Sequence, residues 1–181
     1  GPGGPATADR IDLRQPASHA LARVAAAMAE PDAEDVEELG AEEAARVAAG
    51  AVPPRLVEAL GDLLIDKVVE VRQSALHAVK QLCRLRPILL GGRGGGVHLS
   101  PRILQGVVAL ALDKRNSHLQ ATGQRSLMHL VSCCGWASVD SVPKGVLSNE
   151  ASVFLNDYMR RSLKRIATTE SEAEDSDEDA S

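Results

Sequence analysis

Residues 55–83 read RLVEALGDLLIDKVVEVRQSALHAVKQLC, and residues 102–131 read RILQGVVALALDKRNSHLQATGQRSLMHLV. The two stretches align at an offset of 47 residues, which becomes 48 after one extra residue in the second turn. Each stretch contains an apolar helix, an Asp-Lys turn that begins at Asp66 or Asp113, and a second, amphipathic helix. Repeated two-helix units with a period of about 40–47 residues are typical of helical solenoids. The repeat therefore predicts an all-α, right-handed solenoid of antiparallel helix pairs.

Beyond each turn, apolar and small residues recur at steps of three and four, as on one face of a helix. Because the same positions recur in both copies, we expect them to form the buried face of each second helix. These residues are Val71, Ala75, Val79 and Leu82 in the first copy and Leu119, Gly123, Leu127 and Leu130 in the second.

The segment from Asp66 to Leu82 resembles the turn and second helix of a HEAT repeat. The resemblance is carried by Asp66, Val71, Arg72, Ala75, Ala78 and Leu82. In that family the Asp and the Arg tie the turn to neighbouring repeats, and the small residues let the helices stack closely. In the second unit Gln120 replaces the Arg, and Gly123 replaces an expected Ala at a cost of about 1 kcal/mol of intrinsic helix stability. We therefore expect the neighbours of Gly123 to supply the missing stability.

The other boundaries follow from periodicity and from the Gly and Pro positions that interrupt it. Ser18 is the predicted N-cap of a helix over 17–28, and an acidic helix is predicted over 35–49. Residues 11–50 form either one degenerate repeat or two partial ones. The predicted organisation is a disordered or truncated loop at 1–10, degenerate HEAT-repeat helices at 11–54, a HEAT repeat at 55–90, a Gly-rich loop at 91–100, a HEAT repeat at 101–134, a C-terminal capping helix at 150–168 and a disordered acidic tail at 169–181.

The composition also favours helices in a reducing compartment. Hydrophobic residues make up 44% of the chain and aromatic residues only 2%, so the core draws on Ala, Leu and Val rather than on the residues typical of β-sandwiches. Cys83, Cys133 and Cys134 cannot form a disulfide framework and lack the spacing of a zinc or redox motif. No stretch has the roughly 18 apolar residues needed to cross a bilayer. We expect a cytoplasmic protein that does not associate with membranes.

No catalytic, metal-binding or cofactor-binding residues are predicted. The five histidines, His19, His77, His98, His118 and His129, form no HExxH motif or close ligand pair. The segment from Ser132 to Trp136 offers hydroxyl and thiol groups, but no partners for a nucleophile can be identified. The glycines at 91–96 lack both phosphate-loop spacings. An enzyme with a small-molecule substrate is therefore not expected.

The C-terminal residues 154–167 read FLNDYMRRSLKRIA and precede a short acidic Ser/Thr tail. This ending resembles the extreme C-terminus of the general-control translational activator family, giant HEAT-repeat proteins that activate the kinase of translation initiation factor 2 alpha. The match covers 150–167 well and 55–170 loosely, whereas the acidic segment at 30–50 and the glycines at 91–96 match nothing in the family. The matching positions are Leu155, Asn156, Arg160, Arg161, Ser162, Leu163, Lys164, Ile166 and Ala167.

The resemblance implies a non-catalytic scaffold that senses stalled or collided ribosomes during amino-acid starvation and engages the kinase through its RWD domain. The implied partners are the protein kinase and ribosomal proteins, but no kinase contact is assigned here, because the family's docking segment lies upstream of its C-terminal end. The alternative is a HEAT or armadillo-type adaptor from an unrelated process, such as a cytoskeletal, transport or phosphatase scaffold.

The last helix carries the candidate contact surface. Its bases lie opposite a predicted apolar stripe that contains Leu155, Tyr158, Met159, Ser162, Leu163 and Ile166. The bases form either a solvated face near the end of a helix or a contact for ribosomal RNA or an acidic protein. Since no aromatic side chain lies among them, an RNA contact would depend on charge and shape. These bases are Arg160, Arg161, Lys164 and Arg165.

Two serines in the tail are candidate phosphorylation sites. Ser171 and Ser176 each precede an acidic residue by three positions, as acidophilic kinases prefer. Phosphate at these positions would add negative charge beside the basic helix. We expect it to strengthen or release the pairing of the tail with that helix.

Overall fold

A computed structural model gives the fold and describes the backbone of residues 4–91, 99–142 and 145–178, with side chains from 14 to 165 within them. In the described residues every regular element is a helix and none is a strand, so the predicted all-α class is confirmed. The chain divides into two compact units, Gly1–Val146 and Leu147–Ser181.

The helices follow one another with short connections. A one-turn 3-10 helix, Pro87–Leu90, lies between the fifth and sixth α-helices. The α-helices are α1 (Gly4–Met28), α2 (Ala33–Leu39), α3 (Ala41–Gly50), α4 (Pro54–Leu63), α5 (Val69–Leu85), α6 (Pro101–Leu112), α7 (Ser117–Cys134), α8 (Trp136–Asp140) and α9 (Asn149–Glu178).

Two helix pairs, α4–α5 and α6–α7, occupy the segments that the internal repeat singled out. Both first helices begin with a proline, Pro54 or Pro101, at a position where the missing N–H costs no intrahelical hydrogen bond. Helix α7 begins after Asn116, whose side chain accepts a hydrogen bond of 3.0 Å from the backbone N–H of Leu119. The sequence thus marks the starts of α4, α6 and α7 locally.

The two pairs lie side by side, with first helix against first helix and second against second. Helix α4 packs against α6, and α5 packs against α7. A Cβ on Gly61 would lie 2.8 Å from the Cβ of Arg102, and a Cβ on Gly106 would lie 2.6 Å from the Cβ of Leu64. Glycine at these positions lets the backbones of α4 and α6 approach closely, which is how small residues act in stacked helices.

The core of the first unit is aliphatic. All eight predicted face positions of α5 and α7 are buried. Each fully buried Leu or Val contributes about 1.5–3 kcal/mol relative to an exposed one, so the Leu and Val residues of these faces stabilise the packing. The largest fully buried side chains are Leu60, Leu64, Leu76, Leu82, Leu90, Ile103, Leu104, Leu119, Leu127, Leu130, Val71 and Val79.

Gly123 replaces the expected Ala for a steric reason. A Cβ at this position would lie 2.7 Å from the backbone nitrogen of Ala111 and 2.9 Å from the carbonyl carbon of Leu110. Helices α6 and α7 therefore touch through their backbones here. The expected stabilisation of Gly123 by its neighbours stays a prediction.

Helix α1 begins earlier than predicted. It starts at Gly4, although residues 1–10 were expected to be a loop, and Pro5 stands in its first turn, where proline is tolerated. Ser18 is not an N-cap, because it lies inside α1, where it is buried and its Oγ donates a hydrogen bond of 2.9 Å to the carbonyl of Gln15. Pro16 is also accommodated within the helix.

The acidic helix predicted over 35–49 is two helices. Gly40 adopts a φ of +86°, which ends α2 and precedes α3. This left-handed region strains residues with a Cβ, so glycine is the residue that permits the break. The short helix α2 buries none of its side chains.

Helix α9 extends beyond its predicted end at 168 and reaches Glu178, so residues 169–178, expected to be a disordered tail, are helical. No Gly or Pro occurs after 149 to end the helix. Within the predicted Gly-rich loop, residues 92–98 lie outside the described residues. In the described part of the chain, no helix combines the length and hydropathy required to cross a membrane.

Candidate interaction surfaces

The turn of the first helix pair is organised by Asp66. Its Oδ1 accepts a hydrogen bond of 2.9 Å from the backbone N–H of Val68, which fixes the turn. Its Oδ2 accepts one of 3.2 Å from Nη1 of Arg14 on α1. The carboxylate of Asp66 is largely buried, with a side-chain exposure of 12%. It thus ties the turn of this pair to the helix that precedes it.

Arg72 makes the corresponding link to the next pair. Its Nη1 donates a hydrogen bond of 3.1 Å to the carbonyl of Asp66, and its Nη2 lies 3.9 Å from Oδ2 of Asp113. Asp113 is the counterpart of Asp66 in the repeat. We call the two ion pairs Arg14–Asp66 and Arg72–Asp113 the Arg–Asp ladder, because each joins one helix to the turn that follows it in the stack.

Asp113 is held in its charged form by its surroundings. The backbone N–H of Arg115 donates a hydrogen bond of 3.0 Å to Oδ1, and this bond contributes most to lowering the pKa of the carboxyl. A side-chain hydrogen bond of 3.2 Å from Arg115 Nε and the positive charges of Arg115 and Arg72 lower the pKa further, against the effect of burial. The ladder therefore ends on a carboxylate that is ionised at neutral pH.

Sequence reasoning missed Arg14, although a signal for it exists. Residues 14–21 read RQPASHAL and residues 72–79 read RQSALHAV, so Arg, Gln, Ala, His and Ala recur in register. Helix α1 also packs against α5. The N-terminal helix thus has the sequence and the position of the second helix of a preceding unit. Gln120 occupies the corresponding position in α7, where the series of arginines ends.

Two of the three cysteines join α7 to the preceding elements. Sγ of Cys134 donates a hydrogen bond of 2.5 Å to the carbonyl of Leu90, and Sγ of Cys133 lies 3.5 Å from the carbonyl oxygen of Cys83. Burial raises the pKa of Cys134 to about 12 and raises that of Cys83 as well. The thiols of Cys83 and Cys134 therefore stay protonated at neutral pH, which suits packing rather than nucleophilic chemistry.

Among the described residues, no group of His, Cys, Asp or Glu is arranged to hold a metal ion.

The four bases of α9 are all exposed in the C-terminal unit, as the helical pattern predicted. Arg161 Nε donates a hydrogen bond of 3.3 Å to the carbonyl of Asp157 on the preceding turn. Of the predicted apolar stripe, Leu155 and Met159 are buried, but Leu163 is 57% exposed and departs from the prediction. The basic cluster Arg160, Arg161, Lys164 and Arg165 thus forms one solvent-facing surface.

The predicted stripe also contains Tyr158, which is partly buried. Burial raises the pKa of its phenol, and this effect outweighs the nearby positive charge of Arg165. Ser171 and Ser176 lie on the helical backbone of α9, but their side chains are outside the described residues. Their phosphorylation remains a prediction, as does the role of this helix as a cap.

Comparisons of the chain with protein-family models, with curated proteins and with solved structures found no match.

Proposed function

We propose that the chain is a non-catalytic scaffold of stacked HEAT-type helix pairs whose exposed surfaces bind other macromolecules. The observation that supports the proposal is the Arg–Asp ladder, which links α1 to the first helix pair and that pair to the second. The same connection is made at Asp66 and at its counterpart in the repeat, Asp113. Such stacking leaves long helical surfaces open to partners, which is the usual role of solenoid proteins.

Within this function we propose a more specific role, as part of a cytoplasmic, ribosome-associated activator of the initiation factor 2 alpha kinase in the amino-acid starvation response. The support is the resemblance of residues 154–167 to the end of the general-control translational activator family. The exposed basic cluster of α9 offers charge for ribosomal RNA or for acidic surfaces of ribosomal proteins. The proposed partners are the kinase, ribosomal proteins and ribosomal RNA.

Affinity purification of the full-length protein from amino-acid-starved cells tests this role. We expect ribosomes and the kinase to be recovered with the unmodified protein. A variant with Arg160, Arg161, Lys164 and Arg165 changed to Glu should recover fewer ribosomes, because phosphate contacts are lost. The control, Arg55→Glu, reverses an exposed charge on α4 and should recover as many ribosomes as the unmodified protein.

Two other outcomes would change the conclusion. Recovery of neither ribosomes nor the kinase by the unmodified protein would contradict the specific role and favour an adaptor in a cytoskeletal, transport or phosphatase assembly. If the fourfold substitution leaves the recovery of ribosomes unchanged, the basic cluster is not part of the surface that contacts ribosomes.

A further inference from the structure

Helices α5 and α7 present a shared cationic face to solvent. His77, Lys80 and Arg84 recur at steps of three and four on α5, and Arg125 and His129 lie four residues apart on α7. All five side chains are exposed. Lys80, Arg84 and Arg125 carry the positive charge of this surface, and we call them, together with the flanking His77 and His129, the cationic face. It lies in the first compact unit, whereas the basic cluster of α9 belongs to the second.

The two helices that carry this face run parallel. Near their beginnings, Arg72 of α5 meets Asp113, which stands just before α7. Near their ends, Sγ of Cys133 lies 3.5 Å from the carbonyl oxygen of Cys83. Because both ends are joined and the helices pack along their length, the bases of α5 and α7 form one surface rather than two.

The charge on this surface is not neutralised within the described chain. After Glu70, helix α5 contains no acidic residue, and α7 contains none at all. Within the described residues, Lys80, Arg84 and Arg125 form no salt bridge, whereas other arginines of the same unit pair with Asp62, Asp66 or Asp113. Unpaired bases clustered on one side attract a negatively charged partner.

The surface also has an open pocket and an apolar part. The pocket, of about 580 Å³, is lined by five side chains of α5: His77, Lys80, Gln81, Arg84 and Leu85. Leu85 is 49% exposed and Met128 on α7 is 51% exposed, so large apolar side chains stand beside the bases. Exposed apolar groups rimmed by charge are characteristic of surfaces that bind proteins.

A peptide fits these features better than a nucleic acid does. Single-stranded nucleic acids bind through aromatic stacking as well as through charge. The single Trp, Phe and Tyr of the chain all lie outside α5 and α7. By contrast, leucine and methionine beside arginine and lysine complement a segment that carries both carboxylates and apolar side chains.

We propose that the cationic face of α5 and α7 binds an acidic amphipathic peptide segment of a partner protein. Its carboxylates pair with Lys80, Arg84 and Arg125, and its apolar side chains cover Leu85 and Met128. This inference rests on the proposed scaffold function, since it assigns that function a surface and a class of partner. Binding of this kind weakens as salt screens the charges.

Fluorescence anisotropy with the whole chain and a labelled synthetic peptide of repeated Glu and Leu, spaced for a helix, tests the proposal. We expect binding that weakens with salt and weakens about tenfold or more in the double variant Lys80→Glu and Arg84→Glu. A peptide with every Leu changed to Ser, at the same charge, should bind more weakly. Arg55→Glu is the control for reversal of an exposed charge elsewhere, and circular dichroism checks that each variant is folded.

Several results would overturn the proposal. These are absence of peptide binding, equal affinity in the double variant, equal affinity for the Ser peptide, or tighter binding of oligouridylate RNA at the same residues. If the peptide fails to bind but the full-length protein still recovers ribosomes and the kinase, this inference fails and the proposed function stands. If neither experiment succeeds, both the surface and the specific role are wrong.

Discussion

At Gly123 the backbones of α6 and α7 touch, and the consequences can be measured. Gly123→Ala adds about 1 kcal/mol of helix propensity, but the new methyl group meets three backbone atoms at 2.7–3.1 Å that cannot rotate away. Overpacking costs about 1–3 kcal/mol, and against backbone atoms we expect the upper part of that range, about 2–3 kcal/mol, which leaves a net loss of about 1–2 kcal/mol. The melting temperature, followed by circular dichroism, should fall by about 2–8 °C.

Gly50 provides the matched control. It lies at the end of α3 with no atom within 4 Å of the position of a Cβ. Gly50→Ala should therefore leave the melting temperature unchanged or raise it slightly. An increase in stability from Gly123→Ala would contradict the close contact between α6 and α7.

Asp113 makes stability depend on pH in a defined direction. Hydrogen bonds from Arg115 lower its pKa in the folded chain below the value of about 3.9 for an unfolded Asp. Its charge therefore stabilises the fold above pH 4, and this contribution disappears as the pH falls through the folded pKa. Asp113→Asn should lower the free energy of unfolding at pH 7 by about 0.5–2 kcal/mol, because a charge-assisted hydrogen bond is lost.

Urea denaturation at pH 7 and at pH 3 measures this difference. The difference in the free energy of unfolding between Asp113→Asn and the unmodified chain should shrink at pH 3, because the unfolded carboxyl, with the higher pKa, takes up a proton there and the contribution of the native charge declines. Asp140→Asn, at an exposed position on α8, should change stability by less than about 0.5 kcal/mol at either pH. If the difference in stability between Asp113→Asn and the unmodified chain stays constant or grows at pH 3, the charge of Asp113 does not stabilise the fold.

At the level of single helices, α7 has an N-cap residue, Asn116, whose hydrogen bond a single substitution removes. The side chain of Asn116 accepts the Leu119 N–H at 3.0 Å, so Asn116→Ala should lower the free energy of unfolding by about 0.5–2 kcal/mol. Ser100 occupies the same position before α6, but its hydroxyl makes no capping hydrogen bond. Ser100→Ala should therefore leave the free energy of unfolding, measured by urea denaturation, unchanged. An equal loss of stability in the two variants would show that the hydrogen bond of Asn116 does not stabilise α7.

The helices that could be predicted from the sequence are those whose boundaries are marked locally. Prolines mark the starts of α4 and α6, and apolar periodicity defines the buried faces of α5 and α7. The break at Gly40 was missed because the flanking Ala- and Glu-rich segments have high helix propensity, and propensity does not show a left-handed φ. The length of α9 was underestimated because the acidic composition of its last residues was given more weight than the absence of a Gly or Pro that would end the helix.

Across the whole molecule, the repeat was predictable but its connections were not. The offset between the copies at Arg55 and Arg102 predicted two helix pairs. The ion pair between Arg14 and Asp66 was missed because Pro16 interrupts the match of residues 14–21 with residues 72–79. The proline obscures the likeness of α1 to α5. The cationic face was missed for a related reason, since its bases belong to separate helices that only packing brings together.

The stacking of the two helix pairs is the claim on which the scaffold proposal depends. Nuclear Overhauser effects between the methyl protons of Leu64 and the α protons of Gly106 test it directly, because a Cβ on Gly106 would lie 2.9 Å from Leu64 Cδ1. If α4 lies against α6, these cross-peaks will be strong. Their absence, with the Leu64 methyl groups contacting only residues of α4 and α5, would contradict the stacked arrangement.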